Sequence, residues 1–163
     1  MIRNITFSPM TEQCATAIAS WTFDPPFELY SMDSSAETID EILDEQFFAA
    51  HNEREELIGY ICFGESARVP GGYNFGIYED SSVLDIGLSL TPNLTGKGYG
   101  NQFLHEIIHF SKRFNKPTLQ LVVATFNERA IKVYKKASFK PKNQFLSPVD
   151  GKYYEFMQMQ YHY

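Results

Sequence analysis

The stretch TGKGYGNQFLHEIIH, residues 95–109, holds two sets of residues suited to different chemistries. Gly96, Gly98 and Gly100 alternate with other residues where a helix is expected to begin. Glycines let a backbone turn tightly and approach a ligand closely. The first amides of a helix lack internal partners and carry partial positive charge. Together these suit a phosphate or pyrophosphate, with Lys97 as an added cation. The run matches neither G-x-x-x-x-G-K-S/T nor G-x-G-x-x-G, so Walker-loop and dinucleotide readings are excluded.

His105-Glu106-Ile107-Ile108-His109 fits H-E-x-x-H, in which two imidazoles four residues apart hold zinc and the Glu polarises its water. Glu128 follows with eighteen residues between it and His109, a spacing open to a third ligand. Helix phase opposes this. At about 100° per residue, Phe103, Leu104, Ile107, Ile108 and Phe110 share one side, and His105 and His109 fall opposite them beside Lys112 and Arg113. The expectation is a solvated face holding no metal. A zinc-dependent hydrolase using His105, Glu106 and His109 stands as the alternative.

The elements that position these residues follow from periodicity. Residues 2–8 alternate as a strand, and residues 11–21 read as a helix with Ala15, Ile18 and Ala19 on one face. After Asp24-Pro25-Pro26, Ser34 or Ser35 caps a second helix to about Ala50. Residues 56–64 form a strand, VPGGYNFG a loop, and residues 83–90 a strand ended by Thr91-Pro92. The glycine run opens a helix to about Phe114. Residues 117–125 are nearly continuously apolar, the pattern of a strand buried on both faces. A helix over residues 127–137 and strands over 139–146 and 153–161 close the chain, with a turn at Ser147-Pro148-Val149-Asp150-Gly151. The expected fold is an α/β or α+β domain over residues 1–163 with a mixed sheet.

Bulk properties narrow the partners. Hydrophobic residues make up 44% of the 163, enough for a packed core and against disorder. No apolar run of about 18 residues suggests a membrane span. The opening Met1-Ile2-Arg3-Asn4-Ile5 lacks a secretory pattern, and two free thiols, Cys14 and Cys62, fit a cytoplasmic protein, although a disulfide stays open. Residues 1–93 carry 3 basic against 16 acidic residues, and residues 94–163 carry 11 against 4. The split suits an anion on the second half and a cation on the first, and it suits two differently solvated faces equally well. A pI near 5.2 disfavours nucleic acid.

LDIGLSLTPNLTGKGYGNQFL followed by LQLVVATFNERAIKVYKKASF resembles the GNAT superfamily of acetyl-CoA-dependent N-acetyltransferases. The family loop Q/R-x-x-G-x-G/A is met from Thr95 to Gly100, with Thr95 in place of Gln or Arg. The family's Asn, Ala and Tyr on the following helix are met by Asn127, Ala130 and Tyr134, and Ser138-Phe139 stands where Gly-Phe is common. The specific motifs lie within residues 83–139, and the element order covers essentially the whole chain.

This resemblance implies a mostly antiparallel mixed sheet with splayed fourth and fifth strands and helices on both faces. It implies acetyl-CoA as co-substrate, its pyrophosphate on Thr95, Gly96, Lys97, Gly98, Tyr99, Gly100 and Asn101, its 3′-phosphate near Arg129, Lys132, Lys135 or Lys136, and its pantetheine on Leu88, Ser89, Leu90 and Asn127. One amide of residues 88–90 would polarise the thioester carbonyl. Tyr134 is implied as general acid, although it also suits the apolar face it shares with Ala130 and Ile131, and Asp85 as general base, with an ordinary strand carboxylate facing solvent as its alternative and Glu28 and Tyr30 as rivals. Trp21, Pro26, Phe27, Glu28 and Tyr30 would line the acceptor site, although Trp21 serves core packing equally well. The acceptor implied is a small cationic amine or a peptide N-terminus. A non-catalytic acyl-CoA-binding module is a further alternative. The aromatic C-terminal strand YYEFMQMQYHY offers pairing with a second copy, or simply an ordinary sheet strand with an aromatic face.

Overall fold

The computed structural model describes residues 2–163. Seven strands are ordered β1-β2-β3-β4-β5-β7-β6 in a mixed sheet. The chain forms two compact units. One comprises residues up to Cys62 with Leu88–Gly100, the other Phe63–Gly87 with Asn101–Tyr163. Among the described residues no helix is long and apolar enough to cross a membrane.

In the first unit, β1 (Thr6–Pro9) pairs antiparallel with β2 (Phe47–His51), and β2 with β3 (Leu57–Phe63). Helix α1 (Glu12–Ala19) begins at Thr11, whose Oγ1 accepts from Cys14 N at 3.1 Å, and buries Ala15, Ile18 and Ala19 as its spacing predicts. Such a cap stabilises a helix by about 1 kcal/mol. Ser35, one of the two expected caps, accepts from Thr38 N at 3.1 Å and opens α2 (Ala36–Ile42).

Helix α2 does not reach Ala50, as the sequence suggested. Asp44 Oδ1 accepts from Gln46 N at 2.8 Å, and this local turn diverts the chain into β2. Phe47 and Phe48 then find antiparallel partners in Cys62 and Ile61. FFAA suits helix and strand alike, and long-range pairing decides for the strand here.

In the second unit the segment VPGGYNFG is a helix rather than a loop. Here α3 (Pro70–Phe75) starts with Pro at its first position and ends at Gly76, with φ 86°. Its paired glycines reflect close approach. A Cβ on Gly71 would clash with the Leu146 carbonyl and Ser147, and one on Gly72 with the Tyr78 ring.

Strand β4 (Val83–Leu90) pairs in parallel with β5 (Thr118–Ala124) at residues 83–85 against 118–120, and both strands run on past that register. Helix α4 (Gly100–Ser111) precedes β5, and α5 (Glu128–Lys136) follows it. β5 is buried along almost its whole length, as its apolar run predicts. Phe103, Leu104, Ile107, Leu119, Phe139 and Met159 are essentially inaccessible, and each such side chain contributes roughly 1.5–3 kcal/mol by leaving water.

Strands β6 (Lys140–Val149) and β7 (Lys152–His162) form a hairpin. Its loop is only Asp150-Gly151, with φ 49° and 81°, the left-handed pair a two-residue hairpin needs. The longer turn expected from Ser147 is therefore strand up to Val149. β7 is flanked by β5 and β6, so both of its edges are already paired. Through Phe156, Met157, Met159 and Gln160 the C-terminal strand is paired on both sides within the chain, as in the ordinary sheet strand that the sequence also allowed.

Candidate functional site

The glycine run takes the conformation its composition anticipated. Thr91 N donates to Ile58 O at 2.8 Å and ties the end of β4 to β3. A short 3-10 turn, Pro92–Leu94, follows, and Thr95 Oγ1 donates to Pro92 O at 2.8 Å. Gly96 and Gly98 then take φ 72° and 86°, a left-handed backbone that other residues adopt only at a cost of about 1–2 kcal/mol. No atom lies within 4 Å of where a Gly98 Cβ would stand. The demand at that position is conformational, and the space is open. Gly96, Lys97, Gly98 and Asn101 are exposed, and α4 starts at Gly100. Exposed residues at the start of a helix, with a lysine among them, are suited to an anion. Leu88, Ser89 and Leu90 are half-buried, and Ser89 Oγ donates to Leu90 O at 3.1 Å.

On α5, Asn127 is the cap, its Oδ1 accepting from Ala130 N at 3.3 Å. Tyr134 lies near the other end of the helix, half-buried. There Phe139 N donates to Tyr134 O and Ser138 N to Lys135 O, both at 3.0 Å, with Ser138 at φ 78°. This crossed pair of bonds around a left-handed residue is the Schellman ending of a helix, and the Tyr134–Phe139 ring contact at 6.0 Å accompanies it. Position 138 is thus one whose backbone favours Gly.

Asp85, expected on a strand, is only 4% exposed. Its Oδ2 accepts from Arg68 Nε and its Oδ1 from Gln120 Nε2, both at 2.8 Å. Burial raises its pKa above the usual value, opposed by the hydrogen bonds from Gln120 and Arg68. The Arg68 guanidinium lies over the rings of Tyr78 and Tyr73, 4.8 and 5.6 Å from their centroids. Burial pushes the Tyr78 hydroxyl up to about 12. Sequence reading missed Arg68 and Gln120. Their signals were a lone cation within an acidic stretch and a lone polar residue inside LQLVVA.

The acceptor candidates share one loop of the first unit. Phe27 precedes a single 3-10 turn, Glu28–Tyr30, and Phe27 N donates to Asp24 O at 2.8 Å. Met32 N donates to Trp21 O at 3.4 Å and Phe23 N to Ser31 Oγ at 2.7 Å, which closes the loop. Trp21 is half-buried with its ring 6.2 Å from that of Tyr60, while Glu28 is exposed. Tyr60, also missed, has its pKa raised by burial.

His105 and His109 are exposed on α4, as helix phase predicted, and Glu106 is half-buried. With Asn101, Ile108, Lys112, Lys136, Ala137 and Tyr161 the two histidines line a groove of about 350 Å³. Among the described residues no group of three His, Cys, Asp or Glu is arranged to hold a metal ion. Glu128 opens α5.

The family model described as acetyltransferase (GNAT) family matches residues 15–139. No curated protein matches the chain. An acetyltransferase (GNAT family) from Bacillus anthracis is similar in structure, with TM-score 0.75 at 13% identity over 99% of this chain and 96% of that one. A spermidine N-acetyltransferase SpeG chimera from Vibrio cholerae and hSSAT gives 0.74 at 16% identity, over 97% and 95%. yncA from Salmonella typhimurium, solved with its cofactor acetyl-CoA, gives 0.64 at 16% identity, over 97% and 93%.

Proposed function

The chain belongs to the acetyltransferase (GNAT) family, and on that premise we propose that it moves the acetyl group of acetyl-CoA to a primary amine by direct attack in a ternary complex. The observation that carries this reading is the pair of left-handed glycines, Gly96 and Gly98, opening onto the start of α4. In the proposal one N-acetyltransferase domain spans residues 1–163.

The residues fit acetyl-CoA as follows. The amides of Gly96 to Asn101, with Thr95 and Lys97, hold the pyrophosphate. The backbone of Leu88, Ser89 and Leu90 pairs with the pantetheine, and one of its N–H groups polarises the thioester carbonyl. Asn127 holds the pantetheine arm while capping α5. Acetyl-CoA supplies the activated acyl group. The Tyr134 hydroxyl gives a proton to the departing thiolate, and a carboxylate or water relieves the attacking ammonium of one. Asp85 and its rivals Glu28 and Tyr30 are the side chains considered for that second role. The acidic first unit, with Trp21, Phe27, Glu28 and Tyr30 in one loop, supports a cationic acceptor. The spermidine acetyltransferases among the similar structures are consistent with that choice. A cytoplasmic setting, in which Cys14 and Cys62 persist as free thiols, belongs to the same reading.

Release of CoA thiol is followed with acetyl-CoA and a panel of polyamines, aminoglycosides and basic peptides. Turnover that survives a chelator is the expected result. CoA binding without turnover on any amine would leave only an acyl-CoA-binding module.

A further inference from the structure

We infer that Asp85 and Gln120 form a positioning pair that fixes where β4 and β5 part, with Arg68 holding Asp85 in place. This rests on the acyltransferase reading, because the strand carrying Asp85 runs on to Leu88, Ser89 and Leu90, the proposed pantetheine edge.

The parallel register of β4 and β5 ends at Asp85 opposite Gln120, and at this last rung the two side chains join through Gln120 Nε2 and Asp85 Oδ1 at 2.8 Å. Gln120 has no spare hydrogen-bonding capacity. Its Nε2 also donates to Ile77 O at 3.0 Å, and its Oε1 accepts from Gln158 Nε2 at 2.6 Å and Gln160 Nε2 at 2.9 Å. Gln158 Oε1 in turn accepts from Asn143 Nδ2 at 3.0 Å. The carboxamide therefore ties β5 to β7 on one side and to β4 on the other. Arg68, stacked on Tyr78, occupies the second Asp85 oxygen.

Asp85, Gln120 and Gln158 are 4%, 1% and 5% exposed. Buried polar groups are tolerated when fully paired, and a paired network is directional where an apolar contact is not. Apolar side chains at the last rung would let the ladder slide or extend, whereas this network has one satisfied geometry. Asp85, buried with both oxygens engaged, is a poor proton acceptor for an incoming amine and a good anchor.

The test compares Asp85→Asn, Asp85→Ala and Gln120→Leu in the full chain, with kcat, acetyl-CoA KM and pH profiles on the best amine. Asp85→Asn keeps an acceptor for Gln120 but turns an amide toward Arg68, so its acetyl-CoA KM should rise less than that of Asp85→Ala, and both limbs of the kcat pH profile should persist. Asp85→Ala and Gln120→Leu should raise acetyl-CoA KM about tenfold with a smaller change in kcat. A loss of about 10²-fold in kcat for Asp85→Asn, with one limb of the pH profile gone, would make Asp85 the base and overturn the proposal. Unchanged KM in both Asp85→Ala and Gln120→Leu would overturn it too. If Gln120→Leu does not fold, the Asn-against-Ala contrast at Asp85 decides. Wild-type turnover reports on the acyltransferase reading separately. If that fails, amide exchange along β4 and β5 still reads the pair, and unchanged exchange in Asp85→Ala would count against it.

Discussion

Phe139 N donates to the carbonyl of Tyr134 at 3.0 Å while their rings pack 6.0 Å apart, so the helix that carries Tyr134 is closed by the residue that supports its ring. The hydroxyl is the part of Tyr134 that this arrangement does not require. Tyr134→Phe keeps both the carbonyl and the ring, so it is expected to retain this helix ending, bind acetyl-CoA nearly as wild type does, and lose about 10²-fold or more in kcat. Steady-state kinetics with calorimetric binding check it, and an unchanged rate would remove Tyr134 as acid.

Between those two residues, Ser138 sits at φ 78°. Glycine relieves that strain but gains freedom in the unfolded chain. The net expectation for Ser138→Gly is a gain of about 0.5–1 kcal/mol, or roughly 1–4 °C in Tm. A thermal melt that moves downward refutes it.

Gly98 has open space around it, so Gly98→Ala tests conformation without a clash. The substitution should destabilise by about 1–2 kcal/mol and raise the acetyl-CoA KM, with kcat at saturation nearly retained. Loss of kcat with KM unchanged would contradict a binding role for this loop.

Asp85 has its pKa raised from 3.8, chiefly by burial. A raised native pKa means that the folded state holds the proton more firmly, so this group's contribution is most favourable below 3.8 and declines as pH rises through the folded value. Asp85→Asn cannot ionise, and every other titrating group is common to both proteins. The stability of wild type relative to Asp85→Asn should therefore fall as pH increases from about 3.8. Urea denaturation across a pH series measures it, and a difference that grows with pH would mean that the Arg68 pairing outweighs burial.

Because His105 and His109 face water beside Lys112 and Lys136, the double variant His105→Ala/His109→Ala should keep wild-type turnover with or without a chelator. A drop in acetyl transfer, or chelator-sensitive peptide cleavage by wild type, would restore the zinc alternative.

What was legible in the sequence is what short-range rules control. The glycine run before a helix, the apolar run of β5, the buried face of α1 and the phase of His105 and His109 each depend on neighbours within a few turns or rungs. The helix that carries Tyr134 was legible for the same reason, while the roles proposed for Asn127 and Tyr134 came from the family resemblance. The segment after α2 was misread because FFAA satisfies helix and strand alike, and only pairing with Cys62 and Ile61 chooses between them. The packing that makes Gly71 and Gly72 necessary comes from Ser147 and Tyr78, which local sequence does not specify. Asp85 shows the division most clearly. Its place on a strand was apparent, but its partners lie 17 and 35 residues away, and they alone decide whether that carboxylate meets solvent or anchors the end of a ladder. Local propensity selects the element, while burial and directional pairing across the chain select what each polar side chain does.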